Sequence, residues 1–296
     1  MKVLAAVVTH NRKELLARCI SAINHQSKLP AELLIINNAS TDGTEDYLIS
    51  NNIHHITQDN LGSAGGWHRS IAYAQDNCFD AVWLMDDDGF PDTQALENLL
   101  KHTKQEFACL SSCVVDEKNH NRFVFPMPIL NKYGTPSLRL FGRKIRHRDS
   151  KVFHGLSYYP FAHLFNGALI SMNAINSIGN VNTDYFMMGD EVDYFYRLKT
   201  AGVVNTILDA LHYHPSVESR PYSDAKIYYL LKNTIILHNT YFENSLLRNI
   251  GLIVSLFYRV IKRNGLRDAA SFIFKRKGNF YNAISRGLKG IIAKDM

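Results

Sequence analysis

An α/β architecture, a mostly parallel sheet flanked by helices, is expected from three features of this 296-residue chain. Apolar, β-branched runs alternate with helical periodicity through the first hundred residues, the pattern of repeated βαβ units. Polar and glycine-rich segments recur where those runs end, as they do at the carboxyl ends of strands in an open sheet. The run Met85, Asp86, Asp87, Asp88, Gly89 closes the apolar segment 81–84. Three carboxylates at the tip of a buried strand either repel one another or share a cation, and the cation is the lower-energy arrangement.

Residues 2–9 read as a buried first strand, and Asn11 with Glu14 three residues later has the form of a capping box opening a helix through Ile20 and Ile23. A second strand is expected at 32–37, a short helix around 47–49, a third strand at 53–57, and a helix over 62–75 that leads into the acid-tipped strand. This repetition predicts a Rossmann-like sheet of the nucleotide-binding type, with a further helix starting near Pro91 and Asp92. Between 116 and 157 the prolines Pro126, Pro128 and Pro136 and the basic cluster Arg143, Lys144, Arg146, His147 and Arg148 predict loops and short antiparallel strands over the mouth of a site. A buried strand returns at 164–171, broken by Asn166 and Gly167. A helix over 190–200 closed by Gly202, one or two strands over 203–214 and a long helix over 222–241 follow.

Candidate ligand-binding residues fall at the strand ends. Thr9 and Arg12 follow the first strand and Asn38, Ser40 and Asp42 the second, placed to hold a base or phosphate. In isolation each reads equally as a helix cap or an Asx turn. The segment with Asn60, Gly62, Gly65, Gly66, Trp67 and Arg69 opens a helix with three glycines, so that backbone amides could approach a diphosphate. It is neither a Walker loop nor a dinucleotide fingerprint. Asp190, Glu191 and Asp193 crowd the start of a later helix. Acids there suit the helix dipole, and Asp193 is spaced to pair with Arg197, but three in four positions exceed that need. Glu191 is the first candidate for a base that removes a hydroxyl proton, with Asp190 second. His212 and His214 share one face of a strand-like segment, and one of them could complete a metal shell with Asp86 and Asp88, a donor set suited to manganese or magnesium.

Four cysteines, Cys19, Cys78, Cys109 and Cys113, are scattered, which suits a reducing cytosol better than a disulfide framework or a zinc site. Residues 1–4 run straight into a strand and lack signal-peptide features. The apolar stretch 250–258 is about half of the roughly 20 residues a membrane span needs. Charge is uneven: from 245 to 296 eleven Lys and Arg face two Asp, a balance of +9, which leaves −3 for the first 244 residues of a chain whose total is +6. Two regions are therefore expected, a catalytic domain over 1–244 and a basic amphipathic helical tail over 245–296 that serves membrane association or oligomerisation. Nucleic-acid binding is the rival suggested by the basic tail. The acidic crevice and the lack of a nucleic-acid motif argue against it.

The motifs VVTHNR, NNASTDGT, DNLGSAGG, WLMDDDG and GDEVDYFYR, in that order over residues 1–240, resemble the inverting GT-A-type glycosyltransferases of family 2. The branch most resembled is the galactofuranosyltransferases, with rhamnosyltransferases close behind. The resemblance implies that Asp86 and Asp88 are the ends of a metal-binding DxD motif with Asp87 between them at the nucleotide sugar. It places the base at Glu191, where the family usually has Asp, and keeps Asp190 in play; it puts the metal histidine at His214 and leaves His212 open. Asn37 stands where the family often has Asp. The implied activity is single-displacement transfer, with Mn2+ or Mg2+, of a sugar such as galactofuranose from its UDP donor to a hydroxyl of a lipid-linked saccharide in bacterial surface polysaccharide synthesis, including O-antigen. That work would be done in the cytoplasm, peripherally on the inner face of the cell membrane. Rhamnosyl transfer from dTDP-rhamnose and non-catalytic nucleotide-sugar binding are the alternatives.

Overall fold

The computed structural model describes residues 1–138, 143–185, 187–216, 221–274 and 277–295, with residues 277 and 278 described as backbone alone. The chain divides into two compact units, Met1–Val181 with Tyr194–Ser216, and Asn182–Asp193 with Val217–Met296.

The first unit opens with β1 (Val3–Thr9), α1 (Lys13–Asn24), β2 (Glu32–Asn38), α2 (Thr44–Ser50), β3 (His55–Gln58), α3 (Gly62–Asp76) and β4 (Ala81–Asp86). It continues with β5 (Phe90–Pro91), α4 (Ala95–Lys101), β6 (Phe107–Asp116), β7 (Asn119–Pro128), β8 (Lys144–His147), β9 (Tyr158–Tyr159), β10 (Asn166–Ser171) and α5 (Met172–Ile178). Helix α6 (Asp190–Ala201) begins in the second unit and runs into the first, followed by β11 (Val203–His214). The sheet order is β3-β2-β1-β4-β10-β6-β11-β5, with β7, β8 and β9 attached at its side. Strands β3, β2, β1 and β4 are mutually parallel, β10 inserts antiparallel between β4 and β6, and β6 and β11 pair in parallel.

Residues of β1, β2, β4 and β6 are almost all buried, because helices cover the sheet and such strands read as unbroken apolar runs. Val7 and Trp83 of the sheet share a core with Leu16, Ile20 and Ile23 of α1 and Leu96 and Leu99 of α4. Register fixes the functional edge: Thr9 lies opposite Asn37 and Val8 opposite Asp86, so the polar ends of three strands meet.

Two local expectations are corrected by long-range partners. Asn11 does not cap α1; it sits at φ +54° with its Oδ1 accepting from Thr41 N at 2.7 Å, and Asp42 Oδ2 accepts instead from the first-turn amide of Lys13 at 3.0 Å. The helix expected near Pro91 begins at Ala95, because Phe90 and Pro91 pair with Tyr213 and His212 as a short strand. Residues 203–214 form one strand whose register shifts between Ile207 and Leu211. The basic cluster occupies β8 and its ends, with Arg148 Nη2 donating to Leu208 O at 3.1 Å.

The second unit holds α7 (Asp224–Tyr241), α8 (Ser245–Asn264), α9 (Leu266–Phe274) and α10 (Lys277–Leu288) around a core that includes Tyr229, Leu231, Leu252, Leu256, Phe272 and Ala283. Buried Lys232 on α7 donates to Ala293 O and to Asp295 Oδ1, both at 2.7 Å, while Tyr228 and Arg286 also bind Asp295. The carboxyl-terminal segment is thereby clamped onto α7. Of the tail's counted charges, Lys275 and Arg276 lie outside the described residues.

Candidate active site

In the first unit, Thr9, Arg12, Asn38, Asn60, Gly62, Asp86 and Asp87 line one cleft of about 200 Å3, together with Val8, His10 and Ser63. Seven of the residues singled out in sequence thus converge. They come from the ends of β1, β2 and β4 and from the start of α3, the crevice where open α/β sheets bind ligands.

The acids are held by named partners. Arg12 Nη1 bonds Asp87 Oδ1 at 2.9 Å and Asp88 Oδ2 at 2.8 Å, and Thr9 Oγ1 donates to Asp87 Oδ2 at 2.7 Å. Burial raises the Asp87 pKa above the ordinary carboxylate value, against the opposing pull of Arg12 and Thr9. Asp88 is half-buried, and its bond to His214 and the charges of His214 and Arg12 outweigh desolvation and lower its pKa. Arg18, which sequence reasoning missed, donates Nη2 to Asp88 O at 2.9 Å and Nη1 to Glu117 at 2.7 Å, with its guanidinium 4.4 Å from the Phe90 ring centre. Nothing in its local sequence separates it from a surface helix residue.

Asn38 spends its amide on the loop before α3: Gln58 Nε2 donates to its Oδ1 at 2.8 Å and its Nδ2 donates to Gly62 O at 3.1 Å. Gly62 adopts φ +73° and its amide donates to Asn60 Oδ1 at 3.1 Å. Gly65 and Gly66 answer to packing. A Cβ on Gly65 would lie 2.3 Å from Leu61 Cβ, and one on Gly66 2.4 Å from Val8 Cγ1. Trp67 is fully buried and stacks on Phe165 at 4.6 Å. Ser40 accepts from Asn11 N, Asp42 caps α1 and bonds Thr44, and Arg69 is exposed on α3; none of the three lines the cleft.

His214 closes β11 with Nε2 3.1 Å from Asp88 Oδ1, and its Nδ1 donates to Pro215 O at 2.7 Å. Burial alone would lower its pKa, but the Asp88 bond and charge carry it above the ordinary value. His212 points into the same layer yet takes another place. It is fully buried between Gly89 and Gly167, whose added Cβ atoms would meet its Nε2 at 2.2 Å and its Nδ1 at 3.1 Å. Neither of its ring nitrogens has a protein partner, and burial pushes its pKa down to about 3.

The donor chemistry suits a divalent ion. With Nδ1 committed to Pro215, Nε2 is the ring nitrogen that faces Asp88, and it would give up its proton to bind an ion there. Among the described residues no group of three or more His, Cys, Asp or Glu side chains forms a metal-holding cluster. A hard ion of this kind completes its shell with substrate phosphates and water.

In the second unit, Asp190 and Asp193 are buried and Glu191 is half-buried in the first turn of α6. Tyr241 OH donates to Asp193 Oδ1 at 2.7 Å. Asn233 Nδ2 donates to Met187 O and Met188 O at 3.0 and 2.7 Å, and Gly189 at φ +111° leaves no room for a Cβ beside Tyr185 and Asn233. These contacts fix Asp193 and the segment that leads into α6.

A parallel sheet whose central strand ends in the acidic turn, continued through an antiparallel β10, is the GT-A fold of nucleotide-sugar-dependent glycosyltransferases. It is shared with a mannosyltransferase from Pyrobaculum calidifontis in complex with GDP-Man and Mn2+ (TM-score 0.54, 15% identity, 98% of this chain and 86% of that one). GalNAc-T7 with UDP, GalNAc and Mn2+ is also similar (TM-score 0.59, 12% identity, 83% of this chain and 49% of that one). Residues 5–165 match the family model described as glycosyl transferase family 2, and the chain belongs to that family. It is 32% identical over 220 residues to the galactofuranosyltransferase GlfT1 of Mycolicibacterium smegmatis, covering 72% of this chain and 70% of the relative.

Proposed function

We propose that this glycosyltransferase moves galactofuranose from UDP-galactofuranose, with inversion, onto a hydroxyl of a lipid-linked saccharide during surface polysaccharide synthesis, at the cytoplasmic face of the membrane. The observation that carries the reading is the convergence of Thr9, Arg12, Asn38, Asn60, Gly62, Asp86 and Asp87 on one cleft. Similarity to the galactofuranosyltransferase of M. smegmatis supports the choice of sugar.

In this reading Thr9, Asn60 and the Asn38-held loop at Gly62 seat the nucleoside. Ser40, Asp42, Gly65, Gly66 and Trp67 shape that seat from behind, and Arg69 supplies positive charge on α3. Asp86, Asp88 and His214 would hold Mn2+ or Mg2+, an ion that would supply positive charge to the leaving diphosphate. Arg12 bridges Asp87 and Asp88 and offsets the charge they bring together. Glu191, or failing it Asp190, accepts the proton of the acceptor hydroxyl as that oxygen attacks the anomeric carbon. The bond to the diphosphate breaks on the opposite face.

The test is a panel of nucleotide sugars, with manganese, read by thermal protection and by product formation. UDP-galactofuranose is expected to raise the unfolding midpoint most and to be turned over. Stronger protection and turnover with dTDP-rhamnose would replace the donor, and protection without turnover of any donor would make the chain a binding protein.

A further inference from the structure

Helix α8 is apolar on two faces. Leu252, Leu256 and Val260 are buried in the core of the second unit. On another face Leu247, Ile250, Val254, Tyr258 and Ile261, spaced three or four residues apart, form a stripe of side chains 41 to 67% exposed. One apolar face suffices to fold a surface helix onto its core. A second continuous one over most of a 20-residue helix marks a surface built to be covered.

Charge identifies the cover. Both acids of the segment are occupied internally: Asp268 accepts from Asn264 Nδ2 at 2.9 Å, and Asp295 is clamped by Lys232, Tyr228 and Arg286. Lys262 in the last turn of α8 and Arg267 just beyond it are exposed, so the charge bordering the stripe is positive. Pairing two copies would bring like charges together at this end of the helix, whereas an anionic lipid surface attracts them and receives the stripe among its headgroups. Tyr258 brings the amphipathic ring favoured at that depth.

We infer that the outer stripe of α8 is a docking surface for an anionic phospholipid bilayer, with the helix lying in the plane of the headgroups. The inference deepens the function proposed above, since a lipid-linked acceptor gives the docking its purpose, but its test needs no sugar chemistry.

The full-length protein is floated, without substrates, with vesicles of phosphatidylcholine alone or mixed with phosphatidylglycerol. Wild type is expected to float with the mixed vesicles and not with the neutral ones. Ile250→Ser, Val254→Ser and Tyr258→Ser combined should lower partitioning at least about tenfold, and Lys262→Gln about fivefold, with the thermal midpoint kept because these side chains face outward. Flotation of the triple variant equal to wild type would overturn the inference. So would a wild-type dimer in light scattering that the triple variant dissolves without any vesicle binding. Wild type that floats but is neither protected by nor turns over any nucleotide sugar of the panel would refute the proposed function and leave the docking surface standing.

Discussion

His214 Nε2 and Asp88 Oδ1 stand 3.1 Å apart, tying the end of β11 to the turn that follows β4. The contact selects His214 over His212 as the nitrogen beside the acids, because His212 is sealed between Gly89 and Gly167. His214→Ala and Asp88→Asn are each expected to abolish the manganese-dependent thermal protection by UDP and to lower transfer about 10²-fold or more. His212→Leu, which keeps an apolar filler in the same space, should retain the manganese response. A His214→Ala protein with an unaltered manganese titration would remove His214 from the metal shell.

Glu191→Gln is expected to abolish transfer while leaving UDP-sugar affinity nearly intact, because the amide cannot accept the acceptor's proton. Calorimetric binding and product formation, measured on the same preparation, check it. Equal loss of both would move the role elsewhere, and Asp190→Asn behaving in that selective way would reassign it to Asp190.

Gly66 lies against Val8 so closely that a methyl group would meet Val8 Cγ1 at 2.4 Å. Gly66→Ala should cost about 1–3 kcal/mol of stability by overpacking, read as a lower denaturant midpoint. Combined with Val8→Ala, the loss should be smaller than the sum of the two single losses. Strict additivity would show that the glycine serves something other than this approach of α3 to β1.

Asp295 gives the second unit an acid-sensitive clamp. Burial raises its pKa, but the bonds from Lys232 and Tyr228 and the charges of Lys232 and Arg286 outweigh it and hold the group below its ordinary value. The unfolded chain therefore takes up the proton first. The clamp's contribution is complete above about pH 4 and is lost as pH falls through the lower, folded value. Asp295→Ala leaves the buried Lys232 ammonium without its counter-charge, at a cost of about 3 kcal/mol, and should flatten the acid limb of the stability curve. An acid limb identical to wild type would show that other carboxylates govern it.

Much of the fold was legible because its signals are local. The apolar runs that became β1, β2 and β4, the helical periods of α1 and α3, and the acids at the tip of β4 depend on side-chain period and turn chemistry within a few residues. The pair β5 and β11 was not legible, because a two-residue strand declares itself only through its partner. Arg18 was missed for the same reason: its contacts with Glu117 and with the Asp88 carbonyl come from distant chain.

The sequence by itself determined the order of strands and helices from β1 to β4, the acids that end β4, the glycine-rich start of α3 and the unequal charge of the two regions. Tertiary structure alone decided that Asp42 caps α1 in place of Asn11, that Gly65 and Gly66 make room for Leu61 and Val8, that Trp67 is buried against Phe165, and that Asp88 pairs with His214. The division has a physical cause. Backbone preference and hydrophobic period act between neighbours along the chain, whereas the partner of a charged or polar group is whichever complement packing brings within about 3 Å.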